Sequence, residues 1–154
     1  RARFVEQLLP LEMWGECKEL CSKTSLKIML DESIYDEENI LQAKKIGCGA
    51  IKLKLFKHYG LRNTSALAKK AFDLGLEVVL GNGVSTDIGN LCEALIVSSM
   101  PNIFVPGAEC NGYLKIKDPA IFPQLQFNSG NLIWKDGMRQ KSSFSGWASR
   151  LCSS

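Results

Sequence analysis

Short apolar runs alternate with amphipathic helical patterns through the first hundred residues. The runs recur roughly every 25 residues, and their length and flanking residues predict buried strands at 3–6, 27–31, 50–55 and 77–80. The spacing of apolar residues after each run predicts helices over 12–23, from Asp36 to the glycines at 47 and 49, over 63–74 and over 87–99. A repeat of this kind predicts an α/β fold, in which parallel strands are joined by right-handed crossovers.

Charged residues stand at the downstream ends of three of these runs. Glu6, Asp31 and Lys54 occupy the positions, and Glu32 follows Asp31 directly. Ligand sites in parallel α/β sheets lie beyond the carboxyl ends of the strands, so these residues suit a site better than a core. The fourth run ends in the Gly-Asn-Gly segment 81–83, which can approach a ligand through its backbone but matches no complete phosphate-binding motif.

The repeat predicts four strand–helix units, whereas a closed (β/α)8 barrel needs eight units and about 250 residues. Residues 1–101 are therefore predicted to be either half of a barrel, completed by further sequence or another chain, or a small open sheet. From Pro101 the repeat stops, and residues 102–154 form a separate segment. This segment is predicted to contain a hairpin with strands at 125–127 and 131–135 and a poorly ordered Ser-rich tail from Phe144.

Composition narrows the functional classes. The chain has 154 residues, of which 45% are hydrophobic and 23% charged, values typical of a globular domain with a sizeable core. A net charge of +3 is too small and too evenly spread to indicate nucleic acid or membrane lipid as the main partner. The longest apolar runs have the length of strands and cannot span a bilayer.

Cysteine usage favours free thiols and a reducing, cytoplasmic location over a disulfide framework. None of the six cysteines forms a pair with the CxxC spacing of a zinc site. They are Cys17, Cys21, Cys48, Cys92, Cys110 and Cys152. The chain opens at Arg1 in the lead-in to the first strand, so we expect that its N-terminus was cut from a longer sequence or lost. It shows no targeting pattern.

Two carboxylates are candidate ligands for a divalent cation. Glu6 and Asp31 end consecutive strands, and oxygen ligands with open positions for substrate are what Mg²⁺ prefers. Either acid alone is better explained by a structural role: Asp31 can cap the following turn, and Glu6 can pair with a lysine. Together with Lys54, they favour a metal site.

Lys54 is the candidate general base. It stands between two leucines at a strand end and close to the predicted metal site, and both features lower the pKa of a lysine. Lys52 lies on the same face of the strand, so strand phase does not choose between the two lysines. His58, the only histidine, is expected to pack at the surface, and Asp87 is expected to cap the fourth helix.

With these residues identified, the chain resembles the mandelate racemase and muconate-lactonizing branch of the enolase superfamily. The resemblance rests on the segments 5–10 (VEQLLP), 28–33 (IMLDES) and 51–61 (IKLKLFKHYGL), followed by 109–115 (ECNGYLK). It implies that residues 1–101 supply strands 5 to 8 of a TIM barrel and that 102–154 return to a separate capping domain. It also implies removal of a proton alpha to a carboxylate, giving an enediolate held by Mg²⁺.

Matched position by position, the resemblance implies that Glu6 and Asp31 are the second and third metal ligands and that Lys54 is the base. Secondary candidates are Glu32, Lys52 and Ser85. The family's first metal ligand and its opposite base lie on strands that this sequence does not contain. Leu8 replaces the family's usual proline, and Ser85 stands where many members carry an acid. We therefore expect little or no turnover from this chain by itself.

The predicted function is racemisation, cycloisomerisation or dehydration of a small carboxylate, with isomerase or lyase activity if a missing half completes the barrel. An alternative is a non-catalytic remnant that works by protein association, as a homo-oligomer or by pairing with a complementary half-barrel. A third interpretation is a small α/β domain that binds an anionic metabolite at 81–83.

Overall fold

The computed structural model describes residues 3–83, 85–105, 109–117, 120–122, 125–129, 131–133 and 139–140. Its first hundred residues form the predicted alternation of strands and helices. The strands are β1 (Phe4–Glu6), β2 (Lys27–Leu30), β3 (Ala50–Leu53) and β4 (Glu77–Leu80), and the helices are α1 (Trp14–Lys23), α2 (Glu37–Lys45), α3 (Leu61–Asp73) and α4 (Asp87–Ser99). All neighbouring strands pair in parallel, in the order β1-β2-β3-β4.

Helix starts are set by local hydrogen bonds. Helix α1 begins two residues later than predicted and α3 two residues earlier, and the capping residue of α4 differs from the prediction. Asp36 caps α2 as its sequence indicates, since its carboxylate accepts a hydrogen bond from the Asn39 N–H at 2.9 Å. Helix α3 begins earlier than predicted because Gly60, at φ 95°, offers its carbonyl to both the N–H and the hydroxyl of Thr64. Helix α4 is capped by Thr86 rather than by Asp87.

The two faces of the sheet have different surroundings. Alternating residues of the strands, such as Ile28, Ile51 and Val78, turn toward the helices and form the main apolar core with them. The opposite face carries a smaller apolar cluster, made of Met29, Ala50 and Val79 with partly buried Phe4 and Val105. The charged strand residues continue this second face toward the carboxyl ends of the strands, so this face leads into the candidate site.

The chain beyond α4 returns alongside β4. Phe104 forms a parallel bridge with Val78, and the Glu109 N–H donates to the Leu80 carbonyl at 3.1 Å. A 3-10 helix (Gly112–Lys115) then follows, and it packs against α4. Its first residue must be glycine, because a Cβ at Gly112 would lie 1.8 Å from the backbone oxygen of Ser85.

Further along, short strands pair in two antiparallel ribbons. The predicted hairpin is present, with β6 (Gln126–Asn128) paired to β7 (Asn131–Ile133), while β5 (Ile121–Phe122) pairs with β8 (Arg139–Gln140). The predicted tail from Phe144 lies outside the described residues.

The α/β class and its parallel sheet are confirmed. Closure into a barrel and the boundary at residue 101 stay predictions. In the described part of the chain, no helix has the length and apolar character needed to cross a membrane.

Candidate active site at the carboxyl end of the sheet

Charged side chains from three neighbouring strands meet at one end of the sheet. Glu6 ends β1, Asp31 follows β2, and Lys52 and Lys54 lie in and just after β3. The register pairs Leu30 with Ile51, which places Asp31 level with Lys52 on adjacent strands. All four side chains alternate with the helix-facing core residues, so the structure brings them to the same face.

Lys52 is held between two carboxylates. Its Nζ lies 2.7 and 2.8 Å from the two oxygens of Glu6 and 2.9 Å from Oε1 of Glu109. Burial alone would lower the pKa of Lys52, but the hydrogen bonds with Glu109 and Glu6 outweigh it, so the pKa is raised. With only 4% of the residue exposed, Lys52 is a fixed internal cation and is poorly suited to act as a base.

Glu109 is a site residue that strand-end reasoning did not find. It reaches the site because the segment after α4 runs parallel to β4, and its Oε2 accepts a hydrogen bond from the Asn82 N–H at 3.2 Å. Burial raises the pKa of Glu109, but the hydrogen bonds from Lys52 and Asn82 outweigh this effect and lower the pKa overall. In the sequence, Glu109 was marked only by its place in the segment resembling the family's exit from the barrel.

Asp31 forms a second charged cluster with two lysines. Its Oδ2 lies 2.5 Å from Nζ of Lys54, and its Oδ1 lies 3.2 Å from Nζ of Lys57, which also donates to the Asp31 carbonyl. Burial raises the pKa of Asp31, but the hydrogen bond from Lys54 and the charge of Lys57 reverse this and lower it. Burial dominates for Lys57 and lowers its pKa. Asp31 is therefore ionised in the interior, where lysines balance its charge.

Two uncharged side chains, those of Gln7 and His58, hold the loops that follow β2 and β3 in place. Gln7 accepts a hydrogen bond from the Asp31 N–H at 3.0 Å and donates to the Ser33 hydroxyl at 2.9 Å. His58 was expected at the surface, which is wrong: it is fully buried. Its Nδ1 lies 3.0 Å from the backbone nitrogen and 2.9 Å from the backbone oxygen of Lys54, and its Nε2 lies 3.1 Å from the Ile34 carbonyl oxygen. Burial lowers the pKa of His58, so it is a neutral bridge that ties the loop carrying Lys54 to the loop after Asp31.

The absence of a Cβ at Gly81 leaves space for the side chains of Lys52 and Lys54. A Cβ at this position would lie 2.6 Å from Cδ of Lys52 and 3.3 Å from Cε of Lys54. The Gly-Asn-Gly segment therefore serves close packing against lysine stems. It also contributes Asn82, whose side-chain oxygen and nitrogen are shielded from water and have no hydrogen-bond partner within the part of the chain that the structure describes. Unsatisfied buried amides are costly, so a ligand that reached this side chain would be favoured.

The remaining secondary candidates lie at the margin of these clusters. Glu32 is exposed and next to buried Asp31. Ser85 lies in the turn before α4, where its hydroxyl faces Gly89 and its carbonyl faces Gly112. Ser85 therefore packs between α4 and the 3-10 helix.

Glu6 and Asp31 are donors of the type that a hard divalent cation prefers, although each is paired with a lysine in this structure. Glu6 and Asp31 offer carboxylate oxygens from neighbouring strands at the same end of the sheet, as Mg²⁺ prefers. The ammonium of Lys52 shows that the space beside Glu6 accommodates a positive charge. A divalent cation at these ligands has to displace Lys52 from Glu6 and Lys54 from Asp31.

Comparison with solved structures places this arrangement in a known fold. The chain superimposes on N-succinyl Arg/Lys racemase from Bacillus cereus ATCC 14579 with a TM-score of 0.79 and 21% identity. It matches a mandelate racemase/muconate lactonizing protein from Herpetosiphon aurantiacus with a TM-score of 0.78 and 20% identity. It matches the muconate lactonizing enzyme from Pseudomonas putida with a TM-score of 0.81 and 22% identity. The fold is that of the mandelate racemase/muconate lactonizing enzymes.

The chain covers only part of that fold. The three matches include 93%, 91% and 94% of this chain but 39%, 40% and 41% of the respective solved chains. No protein-family model matches the chain, and no curated protein matches it. The resemblance to the mandelate racemase/muconate lactonizing branch is thus confirmed at the level of the fold, while the roles of individual site residues stay predictions.

Proposed function

We propose that this chain carries one side of an active site that removes a proton alpha to a carboxylate, with Lys54 as the base. The observation that carries the proposal is the pairing of Lys54 with buried Asp31 at the rim where Glu6 also lies. The similar solved structures, which include a racemase and a lactonizing enzyme, support this kind of reaction. The four strand–helix units would then be half of a (β/α)8 barrel.

Each charged residue has a distinct part in this proposal. Lys54 takes the proton at Nζ, and without a bound cation Asp31 positions this group through its Oδ2. Lys57 holds Asp31 from the other side, and His58 fixes the backbone at Lys54. Lys52 neutralises Glu6 and Glu109 and does not approach the substrate as a base.

Glu6 and Asp31 would hold Mg²⁺ in this site. When bound, the cation would stabilise negative charge on the substrate carboxylate. If substrate binding exposes it, the amide of Asn82, at the neighbouring strand end, would supply both a donor and an acceptor to a polar substrate group. An N-acylated amino acid has such groups next to its α-carbon, and the B. cereus racemase acts on N-succinyl amino acids.

Proton exchange tests the function without requiring a full catalytic cycle. We expect the purified chain, with Mg²⁺ in D₂O, to replace the α-proton of N-succinyl-lysine or mandelate with deuterium while the configuration is retained. Retention follows because Lys54 approaches the α-carbon from one face only. ¹H NMR measures the exchange, and chiral chromatography measures the configuration. Absence of exchange across a panel of α-substituted carboxylates would contradict the function, and inversion as fast as exchange would contradict the single base.

Magnesium titration tests the ligand assignment. By calorimetry, Asp31→Asn is expected to weaken Mg²⁺ binding at least about tenfold, whereas Lys52→Met is expected to strengthen it because the competing ammonium is removed from Glu6. Glu32→Gln is the matched control, since it changes the exposed neighbouring carboxylate and should leave the affinity unchanged. Equal affinities for the parent chain and Asp31→Asn would remove Asp31 from the site.

Association with further strands is the second candidate role. In the described sheet β1 is an edge strand, and the free edge of a parallel sheet offers unpaired backbone groups. Pairing there with a complementary half-barrel or with a second copy would be compatible with the catalytic proposal.

A further inference from the structure

Three cysteines on the helix side of the sheet come together, away from the lysine clusters. Cys17 and Cys21 lie one turn apart on α1, and Cys48 lies in the loop between α2 and β3. The sulfur atoms of this thiol trio all lie within 4.8 Å of one another. The trio belongs to the apolar core between helices and sheet, on the opposite face from Lys52 and Lys54.

The local backbone explains how residues 27 positions apart meet. Cys17 and Cys21 share a helix face because they are four residues apart. Gly47 follows the end of α2, and its positive φ of 90° turns the chain back toward α1. The loop after α2 therefore lies close to α1: a Cβ at Gly47 would be 3.6 Å from Cβ of Cys21.

The spacing of Cys21 and Cys48 matches that of two ligands in a metal–thiolate site, and the sulfur of Cys17 lies within 4.8 Å of both. The Sγ atoms of Cys21 and Cys48 are 3.8 Å apart. Four sulfurs at tetrahedral angles and about 2.3 Å from a zinc ion are themselves about 3.8 Å apart, so a metal at this bond length needs little rearrangement. The spacing exceeds a disulfide bond of about 2.05 Å, and the described cysteines are free thiols.

The surroundings favour metal binding over nucleophilic chemistry. Cys17 and Cys48 are both 5% exposed, and burial raises the pKa of each thiol, which makes them poor nucleophiles. Cys21 is only partly buried, so it gives an ion access from solvent and leaves a fourth position open to water. A soft ion can still bind such thiols, because metal–sulfur bonds replace the S–H bonds and release the protons.

We propose that Cys17, Cys21 and Cys48 form a three-thiolate binding site for a soft divalent metal ion such as Zn²⁺. The site is independent of the proposed proton-transfer function and lies on the other face of the sheet. Its structural effect is to tie α1 to the loop that leads into β3, the strand of Lys52. No zinc-binding motif marks this site in the sequence, because its ligands are a helical i, i+4 pair and a distant loop residue rather than two CxxC pairs.

Cadmium titration of the reduced chain tests the proposal, since Cd²⁺ replaces Zn²⁺ at thiolate sites and its sulfur charge-transfer band reports coordination directly. One equivalent of Cd²⁺ should saturate the band and protect three of the six cysteines from a thiol reagent. Cys21→Ser should weaken binding at least about tenfold, and Cys92→Ser, which changes a cysteine outside the trio, should not. Cys21 is the variant of choice because it is the least buried of the three, and circular dichroism confirms that the variant folds.

Several outcomes would overturn the site. Equal loss of Cd²⁺ affinity in Cys21→Ser and Cys92→Ser would show non-specific thiol binding. A saturated band with fewer than three protected thiols would exclude a three-thiolate site. A reduced chain that gives no charge-transfer band with Cd²⁺ would end the proposal, whatever the result of the proton-exchange experiment.

Discussion

Replacing Lys54 with arginine is expected to reduce α-proton exchange at least about 100-fold, the lower range of what a positioned general base contributes. Arginine retains the positive charge beside Asp31 but stays protonated at any working pH, so it removes the base and keeps the ion pair. The measurement is the rate of deuterium incorporation by ¹H NMR, with magnesium held constant.

Two further variants make this result specific. Lys69→Met changes an exposed lysine on α3 and should leave exchange unchanged. Lys57→Met removes the other lysine that contacts Asp31 and should have a smaller effect than Lys54→Arg, because Lys57 acts through the position of Asp31. If Lys57→Met abolishes exchange while Lys54→Arg retains it, Lys57 is the base and the assignment of Lys54 is wrong.

Replacing Glu93 with glutamine is expected to stabilise the fold by about 3 kcal/mol at pH 8 and by little at pH 4.5. Glu93 is 2% exposed on α4, and burial raises its pKa from 4.5 to about 7, helped by the charge of Glu109 and opposed by the hydrogen bond from Asn90. Its neighbour Cys110 has a pKa raised to about 11 by burial and by Glu93 itself.

The direction of the pH dependence follows from proton binding. Between pH 4.5 and about 7 the folded chain holds a proton on Glu93 that the unfolded chain has released. The parent chain therefore loses stability as the pH rises through this window, and the loss is complete above it. Glutamine has no such titration, and Asn90 can turn its amide to keep a hydrogen bond with it.

Urea denaturation at the two pH values measures this effect. Glu12→Gln, which changes an exposed glutamate in the loop before α1, should show no comparable pH-dependent difference. A Glu93→Gln variant that is no more stable than the parent chain at pH 8 would show that Glu93 ionises in the fold without the cost of burial.

Most of the fold could be predicted because its signals are local. Strand β4 and helix α4 occur with the predicted bounds, 77–80 and 87–99, since apolar runs and a proline stop mark them in the sequence. The start of α3 was missed because its first turn depends on the conformation of Gly60 rather than on a capping side chain. The hairpin around Ser129 was also predictable, because a turn segment separates two short strands.

The candidate site was only partly predictable. Strand-end logic placed Glu6, Asp31 and Lys54 together, but it could not separate Lys54 from Lys52, which share a strand face. That distinction depends on Glu109, which is 57 positions from Lys52 and comes to it through pairing of its segment with β4. His58 was misjudged for the same reason, since a histidine in a loop shows its partners only when the loops are packed together.

By itself, the sequence determined the alternation of strands and helices, the parallel sheet that follows from it, and the charged rim at the strand ends. These features depend on residue periods of two and 3.6 and on caps within a few positions. Only the tertiary structure decided which lysine is enclosed by carboxylates, that His58 is buried, and that the thiol trio meets behind the sheet. Such contacts join residues that are tens of positions apart, and their geometry is set by strand register and helix packing, which no local pattern encodes.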